Sequence, residues 1–284
     1  MKIRKAAAND LEGMAHRAEL LQADGATHIG YLGTDARSIA ADLAGVDQWV
    51  ERTAVAEVSG TIVGWLTAEF DEEMGRAWWW GPFCEARPDR DVIADEMYRL
   101  VGADVGPEEE MAPDDRNSWV AACALRWGFR GEEASAVLRY LGGGFGETDD
   151  AVAPLGDAHA SAVVALHDEL FPGTHTPGRM LVESTQPRLV YLEAGDVVGY
   201  VAAEIQSDRS GYIDYLGVRL DQRGRGVGRA LVRAATNRLL GLEATSVNLT
   251  VRESNAVARA LYGSLGFNEE RVIRPYRKGF SLGG

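Results

Sequence analysis

The C-terminal half of the chain shows two periods of apolar residues. Apolar positions recur every three to four residues in three segments and predict amphipathic helices, whereas four short segments predict strands. The helices are predicted at 161–170, at 226–240, where Gly241 ends the helix, and at 256–264. The strands are predicted at 188–193, 197–205, 211–218 and 246–251. This order indicates an α/β unit that begins largely antiparallel and has a βαβ crossover near its centre.

The first half of the chain repeats part of this pattern. Residues 58–69 match residues 193–204 at an offset of 135, and each segment predicts a hairpin with a short turn. Residues 124–129 match residues 262–267 at an offset of 138. A shorter match, near residues 10 and 157, has an offset of 147. Three matches in the same order predict a duplicated unit with small loop insertions or deletions between them.

A glycine-rich stretch separates the two copies. Residues 142–146 contain four glycines and are followed by the polar residues 147–150. This composition predicts a flexible linker. We therefore expect two domains, residues 1–145 and residues 150–284, each of α/β class with a mixed, mostly antiparallel sheet flanked by helices.

The composition limits the kinds of partner. The chain is 46% hydrophobic and 25% charged, as in globular proteins, and no apolar run approaches the ~20 residues of a membrane helix. The first residues lack the apolar core of a signal peptide, so we expect a cytoplasmic protein. A net charge of −14 disfavours nucleic acid and anionic membranes as partners. Cys84 and Cys123 lack the spacing of a metal site, so no metal is expected.

The charge is concentrated in the first copy. Residues 1–148 contain 14 Lys and Arg against 27 Asp and Glu, and they also contain all seven tryptophans. These features suit a pocket for an amine-bearing acceptor, and they suit equally a packed sheet with an acidic, solvated face.

A basic, glycine-rich segment lies between the predicted strand 211–218 and the predicted helix 226–240. The segment consists of Arg223, Gly224, Arg225, Gly226, Val227, Gly228 and Arg229. A helix N-terminus presents unpaired N–H groups, and glycines let an anion approach them, so the segment predicts a pyrophosphate site. Its spacing fits neither the dinucleotide fingerprint nor the P-loop.

These residues resemble a known family. Arg223, Gly226 and Gly228 are similar to the [Arg/Gln]-x-x-Gly-x-[Gly/Ala] signature of the GNAT N-acetyltransferases, and residues 255–267 resemble the following helix and its closing Gly-Phe. The resemblance covers most of residues 150–275. It implies an acetyl-CoA site in which the amides of 224–229 bind the pyrophosphate, the strand near Leu216 and Val218 carries the pantetheine, and Asn255 points toward the cofactor.

Acetyl transfer to an amine also requires an acid for the departing thiolate. Tyr262 lies seven residues after Asn255, on the same side of the predicted helix and off the stripe of Val257, Leu261 and Leu265 that should face the core. The resemblance implies that a tyrosine at this position protonates the coenzyme A thiolate.

The candidates for the base are two carboxylates in predicted strands. Asp214 alternates with Tyr212 and Leu216, so we expect it on the cofactor face, where burial would raise its pKa. Glu204 is an equal candidate, although Glu69 occupies its position in the first copy, and a water molecule is a third way to carry the proton. His167 and His175 are substrate-loop candidates outside this core assignment.

The first copy lacks the corresponding chemistry. The alignment places Asp91 and Ile93 at the positions of Gly226 and Gly228, and Ala124 at the position of Tyr262. Aspartate would repel a phosphate. We therefore expect a single active site, in the C-terminal copy.

The resulting hypothesis is an acetyl-CoA-dependent N-acetyltransferase that acts on a small-molecule amine. Its layout is similar to the mycothiol-synthase type, although no acceptor residue matches specifically. The non-enzymatic alternative is a coenzyme A-binding sensor or scaffold, which would need residues 223–228 but not Tyr262. Monomer and homodimer both remain open.

Overall fold

The computed structural model describes residues 1–102, 106–174 and 176–280. The chain forms two compact units, the first comprising Met1–Ser135 and the segment from Arg271 onward, the second Ala136–Glu270. Each unit is built on one mixed seven-stranded sheet flanked by helices. The predicted fold class is therefore confirmed. None of the described helices combines the length and the apolar character needed to cross a membrane.

The first unit contains four α-helices and seven strands among its described residues. Its strands are β1 (Lys2–Lys5), β2 (Thr53–Val58), β3 (Thr61–Asp71), β4 (Arg76–Cys84), β5 (Glu108–Met111), β6 (Arg130–Gly131) and, from the end of the chain, β14 (Tyr276–Lys278). Its helices are α1 (Leu11–Gln22), α2 (Ala36–Gly45), α3 (Arg90–Val101) and α4 (Ser118–Arg126). The sheet order is β1-β2-β3-β4-β5-β14-β6, and its largest buried side chains are Trp65, Trp79 and Phe83.

The second unit follows the same plan. Its strands are β7 (Ser135–Tyr140), β8 (Val152–Pro154), β9 (Arg188–Glu193), β10 (Asp196–Ile205), β11 (Gly211–Val218), β12 (Val247–Arg252) and β13 (Asn268–Ile273). Its helices are α5 (Asp157–Leu170), α6 (Gly178–Glu183), α7 (Val227–Gly241) and α8 (Ala256–Ser264). The sheet order is β13-β7-β12-β11-β10-β9-β8, and the parallel β11 and β12 flank the predicted crossover helix α7.

The two sheets have equivalent strand orders, but each takes one strand from a distant part of the sequence. In the first sheet β14 lies between β5 and β6, and in the second sheet β7 occupies the equivalent place between β12 and β13. Charge favours the first arrangement, because Lys278 and Arg277 of β14 pair with Glu109 (2.7 Å) and Glu110 (2.6 Å) of β5. The compact units therefore do not end at the glycine-rich segment from which we predicted the domain boundary.

The repeated hairpins have the same turn. Ser59 and Gly60 join β2 to β3 with φ of 51° and 83°, and Ala194 and Gly195 join β9 to β10 with φ of 52° and 90°. Two consecutive positive φ values are typical of a type I′ hairpin turn. The hairpin prediction is confirmed in both copies.

The segment predicted as a flexible linker packs on α7. The Asn237 side chain donates to the Phe145 carbonyl (3.0 Å) and accepts from its amide (2.7 Å), and the Phe145 ring lies over Tyr140, with ring centroids 5.2 Å apart. The prediction differs from the structure because an asparagine 92 residues away satisfies the backbone, and local composition does not report that.

The second sheet buries apolar side chains on both faces. Ile213 and Val201 lie on the face covered by α7 and α8, together with Leu231. Tyr200 and Tyr215 lie on the face covered by α5, together with Leu166. Strands β10 and β11 therefore present side chains to two separate environments.

Candidate active site

Strands β11 and β12 pair only at their first residues. Their parallel pairing covers Gly211 to Ile213 of β11, whereas β11 continues to Val218 and β12 to Arg252. Within the part of the chain that the structure describes, β12 pairs with no later residue of β11. The backbone of residues 214–218 therefore has one open edge, which is able to pair with an extended ligand.

The glycine-rich segment begins α7 at the end of β11. Gly226 caps the helix with φ of 89°, and Gly224 has φ of 77°, a conformation that favours glycine at both positions. Among the described residues, no hydrogen-bond acceptor is found for the backbone amides of residues 224–229, and the first amide bonded is that of Ala230, to the Gly226 carbonyl (3.0 Å). Free donors at a helix N-terminus are able to bind an anion.

Gly228 brings three elements together. A Cβ at Gly228 would lie 3.5 Å from Leu261 of α8 and 3.8 Å from both Leu216 and Val218 of β11. The predicted cofactor residues of the strand and of the loop are therefore neighbours at the open edge.

The arginines of the loop differ in their partners. Arg225 pairs with Glu193 (2.8 Å), and Arg219 pairs with Asp221 (2.8 Å). Arg223 donates to the Val218 carbonyl (3.3 Å), and Arg229 donates to the Ser264 hydroxyl (2.7 Å). Neither has a carboxylate partner among the described residues, so their positive charge adds to that of the helix terminus.

Asp214 is the extra residue of a β-bulge. Ala203 of β10 pairs with Ile213 and Ala202 pairs with Tyr215, so Asp214 is an additional residue between two consecutive pairs. The bulge interrupts the alternation on which our prediction relied. Leu216 lies on the α7 face, whereas the Asp214 charge acts on Tyr200 and Tyr215 of the α5 face. The prediction that Asp214 and Leu216 share a face is wrong.

The two candidate carboxylates lie in one electrostatic cluster. Burial raises the pKa of Asp214 to about 7, with a further increase from the Glu204 charge, and Arg188 opposes both effects. Burial also raises the pKa of Glu204, again opposed by Arg188. The sequence analysis missed Arg188, although an arginine at the start of an otherwise largely apolar strand is a signal that could have found it.

Tyr262 is a core residue of α8. It is buried beside Phe267, whereas Val257 is 84% exposed, so the predicted apolar stripe through Val257 is wrong. Val257 lies in the first turn of α8, and the face that packs on the sheet contains Ala258, Tyr262 and Leu265. Burial raises the pKa of Tyr262 to about 12, and within the described residues its hydroxyl has no hydrogen-bond partner. Its hydroxyl is therefore protonated at physiological pH.

Comparison with known proteins identifies this arrangement. Residues 161–267 match the model of the Acetyltransferase (GNAT) family. This part of the chain is a GNAT domain. Mycothiol acetyltransferase of Beutenbergia cavernae is 31% identical over 167 residues, 52% of this chain and 54% of that protein. An alanine N-acetyltransferase of ribosomal protein bS18 from Escherichia coli is 34% identical over 82 residues, 29% of this chain and 55% of that protein. The chain spans about half the length of these curated relatives.

Solved structures share the fold across both units. A GCN5-related N-acetyltransferase from Sphaerobacter thermophilus superposes with a TM-score of 0.77 at 16% identity, covering 98% of this chain and 95% of the other. A tandem GNAT protein from the clavulanic acid biosynthesis pathway superposes with a TM-score of 0.65 at 16% identity, covering 99% of both chains. At such identities the likeness shows the fold alone.

Asn255 has a structural role at the start of α8 in the GNAT domain. Its side chain accepts from the Ala258 amide (3.1 Å), and Asn117 accepts from the Val120 amide (3.1 Å) at the start of α4. The same cap in both copies shows that Asn117 is the counterpart of Asn255. A contact of Asn255 with the cofactor stays a prediction.

Of the two candidate histidines, His167 lies within the described residues. His167 is buried in the GNAT domain, where its ring nitrogens bond the Tyr200 hydroxyl (2.6 Å) and the Thr176 carbonyl (2.8 Å). These partners fix the ring, and burial lowers its pKa. His175 lies outside the described residues.

The first unit lacks the glycine cap of the GNAT domain. Its helix α3 is capped by Asp89 with φ of −98°, so Asp89 and Asp91 correspond to Gly226 and Gly228, two positions earlier than the sequence alignment indicated. The Trp119 indole donates to the Asp91 carboxylate (2.7 Å). Two carboxylates thus occupy the helix N-terminus where the GNAT domain offers amides.

The first unit also lacks the bulged aspartate. Glu69 pairs with Trp78 and Thr67 with Trp80, just as Glu204 pairs with Tyr212 and Ala202 with Tyr215. Only Trp79 separates the two tryptophans, whereas the GNAT domain inserts Asp214 as an additional residue. Ala124, at the position of Tyr262, is buried. The described residues of either unit hold no group of metal-binding side chains.

Proposed function

We propose that the protein is an acetyl-CoA-dependent N-acetyltransferase with one active site, in the GNAT domain, that acts on the amine of a small molecule. The observation that carries the proposal is the row of unbonded amides at residues 224–229 beside the open edge of β11. Amides at a helix N-terminus suit a pyrophosphate, and an open strand edge suits the amide groups of a pantetheine arm. In coenzyme A the pyrophosphate is followed directly by the pantetheine arm, so one molecule has both groups.

Residues of the loop and of the strand would share the binding of acetyl-CoA. The amides of Gly224, Arg225, Gly226, Val227, Gly228 and Arg229 would bind the pyrophosphate, with Arg223 adding charge. The strand backbone near Leu216 and Val218 would pair with the pantetheine. Asn255 stands at the start of α8, the helix that packs against Gly228 through Leu261.

The proposed chemistry uses both faces of the sheet. An acceptor amine that is protonated in water would lose its proton to Asp214, whose pKa of about 7 suits a base at neutral pH. The amine nitrogen would attack the thioester carbonyl, and the C–S bond would break as Tyr262 protonates the thiolate. The second proton, which the nitrogen releases on becoming an amide, would return through water to the Tyr262 phenolate. Asp214 faces α5 and Tyr262 belongs to α8 on the opposite face, so the two proton transfers are separated in space.

Charge supports an amine-bearing acceptor. Asp214 and Glu204 lie on the α5 face, where their carboxylates would attract a cation. The acidic chain as a whole suits neither nucleic acid nor an anionic membrane. Because acetyl-CoA is a cytoplasmic metabolite, the cytoplasm is the proposed location.

Two alternatives retain the same cofactor site. A mycothiol-synthase-like acetyltransferase is favoured by the relative from Beutenbergia cavernae, which shares 31% identity over 167 residues. A non-catalytic coenzyme A sensor would keep the 224–229 amides without a need for Tyr262. The second alternative predicts that acetyl-CoA binds and that no amine is acetylated.

Thiol release with acetyl-CoA and a panel of small amines, including the amine precursor of mycothiol, tests the proposal. We expect Tyr262→Phe to lower kcat by about 100-fold or more while the Kd for acetyl-CoA stays unchanged. Tyr140→Phe is the matched control, because Tyr140 belongs to the same apolar cluster and its hydroxyl bonds only the Gly143 carbonyl (2.6 Å) among the described residues. Equal activity of the two variants would remove Tyr262 from the mechanism.

A further inference from the structure

Arg188 is an anchored cation at the start of β9. Its Nε donates to the Leu181 carbonyl (3.1 Å), and its Nη1 donates to the carbonyls of Pro187 (3.0 Å) and Ala203 (2.7 Å). Carbonyls of α6, of the loop before β9 and of β10 thus hold the guanidinium in one place. A long side chain fixed by three acceptors has given up its rotational freedom.

The sheet register places this cation on the face of the two carboxylates. Ala202 of β10 pairs with Arg188 on one side and with Tyr215 on the other, so the three residues form one row across the sheet. Tyr215 and Ala202 belong to the α5 face. Glu204 follows Ala202 by two residues and therefore points to the same face, and Asp214 is the bulged neighbour of Tyr215.

The three groups interact electrostatically. Arg188 stabilises the charged forms of both Glu204 and Asp214, and Glu204 in turn disfavours the charged form of Asp214. Burial lowers the pKa of Arg188, and the charges of the two carboxylates partly offset this decrease. Arg188 therefore lowers the pKa of Asp214, whereas Glu204 raises it.

We propose that Arg188 is a positioning residue that keeps Glu204 charged, so that Asp214, rather than Glu204, holds the one transferable proton of the pair. This inference rests on the proposed function for its catalytic meaning. It assigns different roles to two carboxylates that sequence analysis treated as equal candidates. Asp214 exchanges the proton with the acceptor amine, and Glu204 supplies a fixed negative charge beside it.

Among the described residues around the cluster, three tyrosines and one histidine are neutral near neutral pH. Burial raises the pKa values of Tyr200, Tyr212 and Tyr215, so all three stay neutral, and burial lowers the pKa of His167. Asp168 of α5 acts on Tyr200 and on His167 and accepts from the Gly178 amide (2.8 Å). Arg179 of α6 is exposed.

The pH dependence of kcat/KM distinguishes the roles. Arg188→Gln removes the cation and should move the acidic limb to higher pH by about one unit, whereas Glu204→Gln removes the like charge and should move it to lower pH by about one unit. Arg188→Lys keeps the charge and should leave the limb close to that of the wild type. Arg209→Gln is the control for net charge, because Arg209 pairs with Glu243 on the surface. A limb that moves in the same direction in both glutamine variants overturns the inference.

A titration without substrate separates this inference from the proposed function. Asp214 is observed by carbon NMR in protein labelled at the aspartate carboxyl carbons, and Asp214→Asn assigns its resonance. We expect the Asp214 midpoint to rise in Arg188→Gln and to fall in Glu204→Gln, whether or not an acceptor is known. If these midpoints move but the kinetic limb does not, the proposed base is wrong and the role of Arg188 stands. If the midpoints stay fixed, the role of Arg188 is refuted; Arg188→Lys and Glu204→Gln decide if Arg188→Gln fails to fold.

Discussion

Gly226→Ala tests whether the loop before α7 binds the pyrophosphate of acetyl-CoA. Gly226 caps α7 with φ of 89°, and a Cβ there would meet no atom within 4 Å. The substitution therefore causes no clash, and its cost comes from the left-handed backbone alone, about 1–2 kcal/mol. If the loop relaxes instead, the amides of 224–229 change direction.

The chain contains a matched control for this strain. Gly195 in the β9–β10 turn has φ of 90°, and a Cβ there also meets nothing within 4 Å. Gly195→Ala should therefore lower the free energy of unfolding by a similar amount, as measured by chemical denaturation. Any additional effect of Gly226→Ala on ligand binding is then specific to its place at the anion site.

The expected binding loss follows from the amides. A hydrogen bond to a charged group contributes about 1.5–3 kcal/mol, so the loss of one amide–phosphate bond should weaken acetyl-CoA binding about 10- to 150-fold. Isothermal titration calorimetry measures this in both variants. S-acetylpantetheine lacks the pyrophosphate, so its kcat/KM should be the same in Gly226→Ala and Gly195→Ala. Wild-type affinity of Gly226→Ala for acetyl-CoA, without the fall in the free energy of unfolding that marks a retained left-handed backbone, would refute the phosphate role of the loop.

Two further predictions concern stability. The pKa of Asp214 is raised from 3.8 to about 7 on folding, so its carboxyl destabilises the fold as pH rises through this window. The free energy of unfolding of Asp214→Asn should therefore gain about 3 kcal/mol over that of the wild type between pH 5 and pH 8. An equal difference between the two proteins at both pH values would contradict this. A fragment of residues 150–284 should melt at a much lower temperature than a fragment of residues 133–273. Only the second fragment contains β7, whose Ala136 and Leu138 are buried in the second core. Circular dichroism measures both melting temperatures, and equal values would show that β7 is dispensable.

Elements with a clear local pattern could be predicted from the sequence. The strand at 188–193 and the helix at 256–264 have the predicted bounds, and the two hairpins share the turn that their glycines indicated. The loop at 224–229 also lies where the sequence placed it, at the N-terminus of α7. In each case the signal is contained in a few neighbouring residues.

Features that depend on distant partners could not be predicted. The face of Asp214 depends on a bulge that only the pairing of β10 with β11 defines. The burial of Tyr262 and the exposure of Val257 depend on how α8 lies on the sheet. The exchanged strands β7 and β14 depend on complementary charge and apolar surface more than 100 residues away. Pattern periodicity carries no information about any of these.

The two copies share one fold but differ at the proposed coenzyme site. Both units contain the hairpin, a crossover helix directly after β4 or β11, and an asparagine cap on the next helix. The first unit replaces a left-handed glycine cap with Asp89, and Ala124 stands where the second unit has Tyr262. These substitutions preserve the fold, because an aspartate suits a helix N-terminus and alanine suits a helix. The same aspartate opposes a phosphate, so stability and coenzyme binding make different demands on the same position.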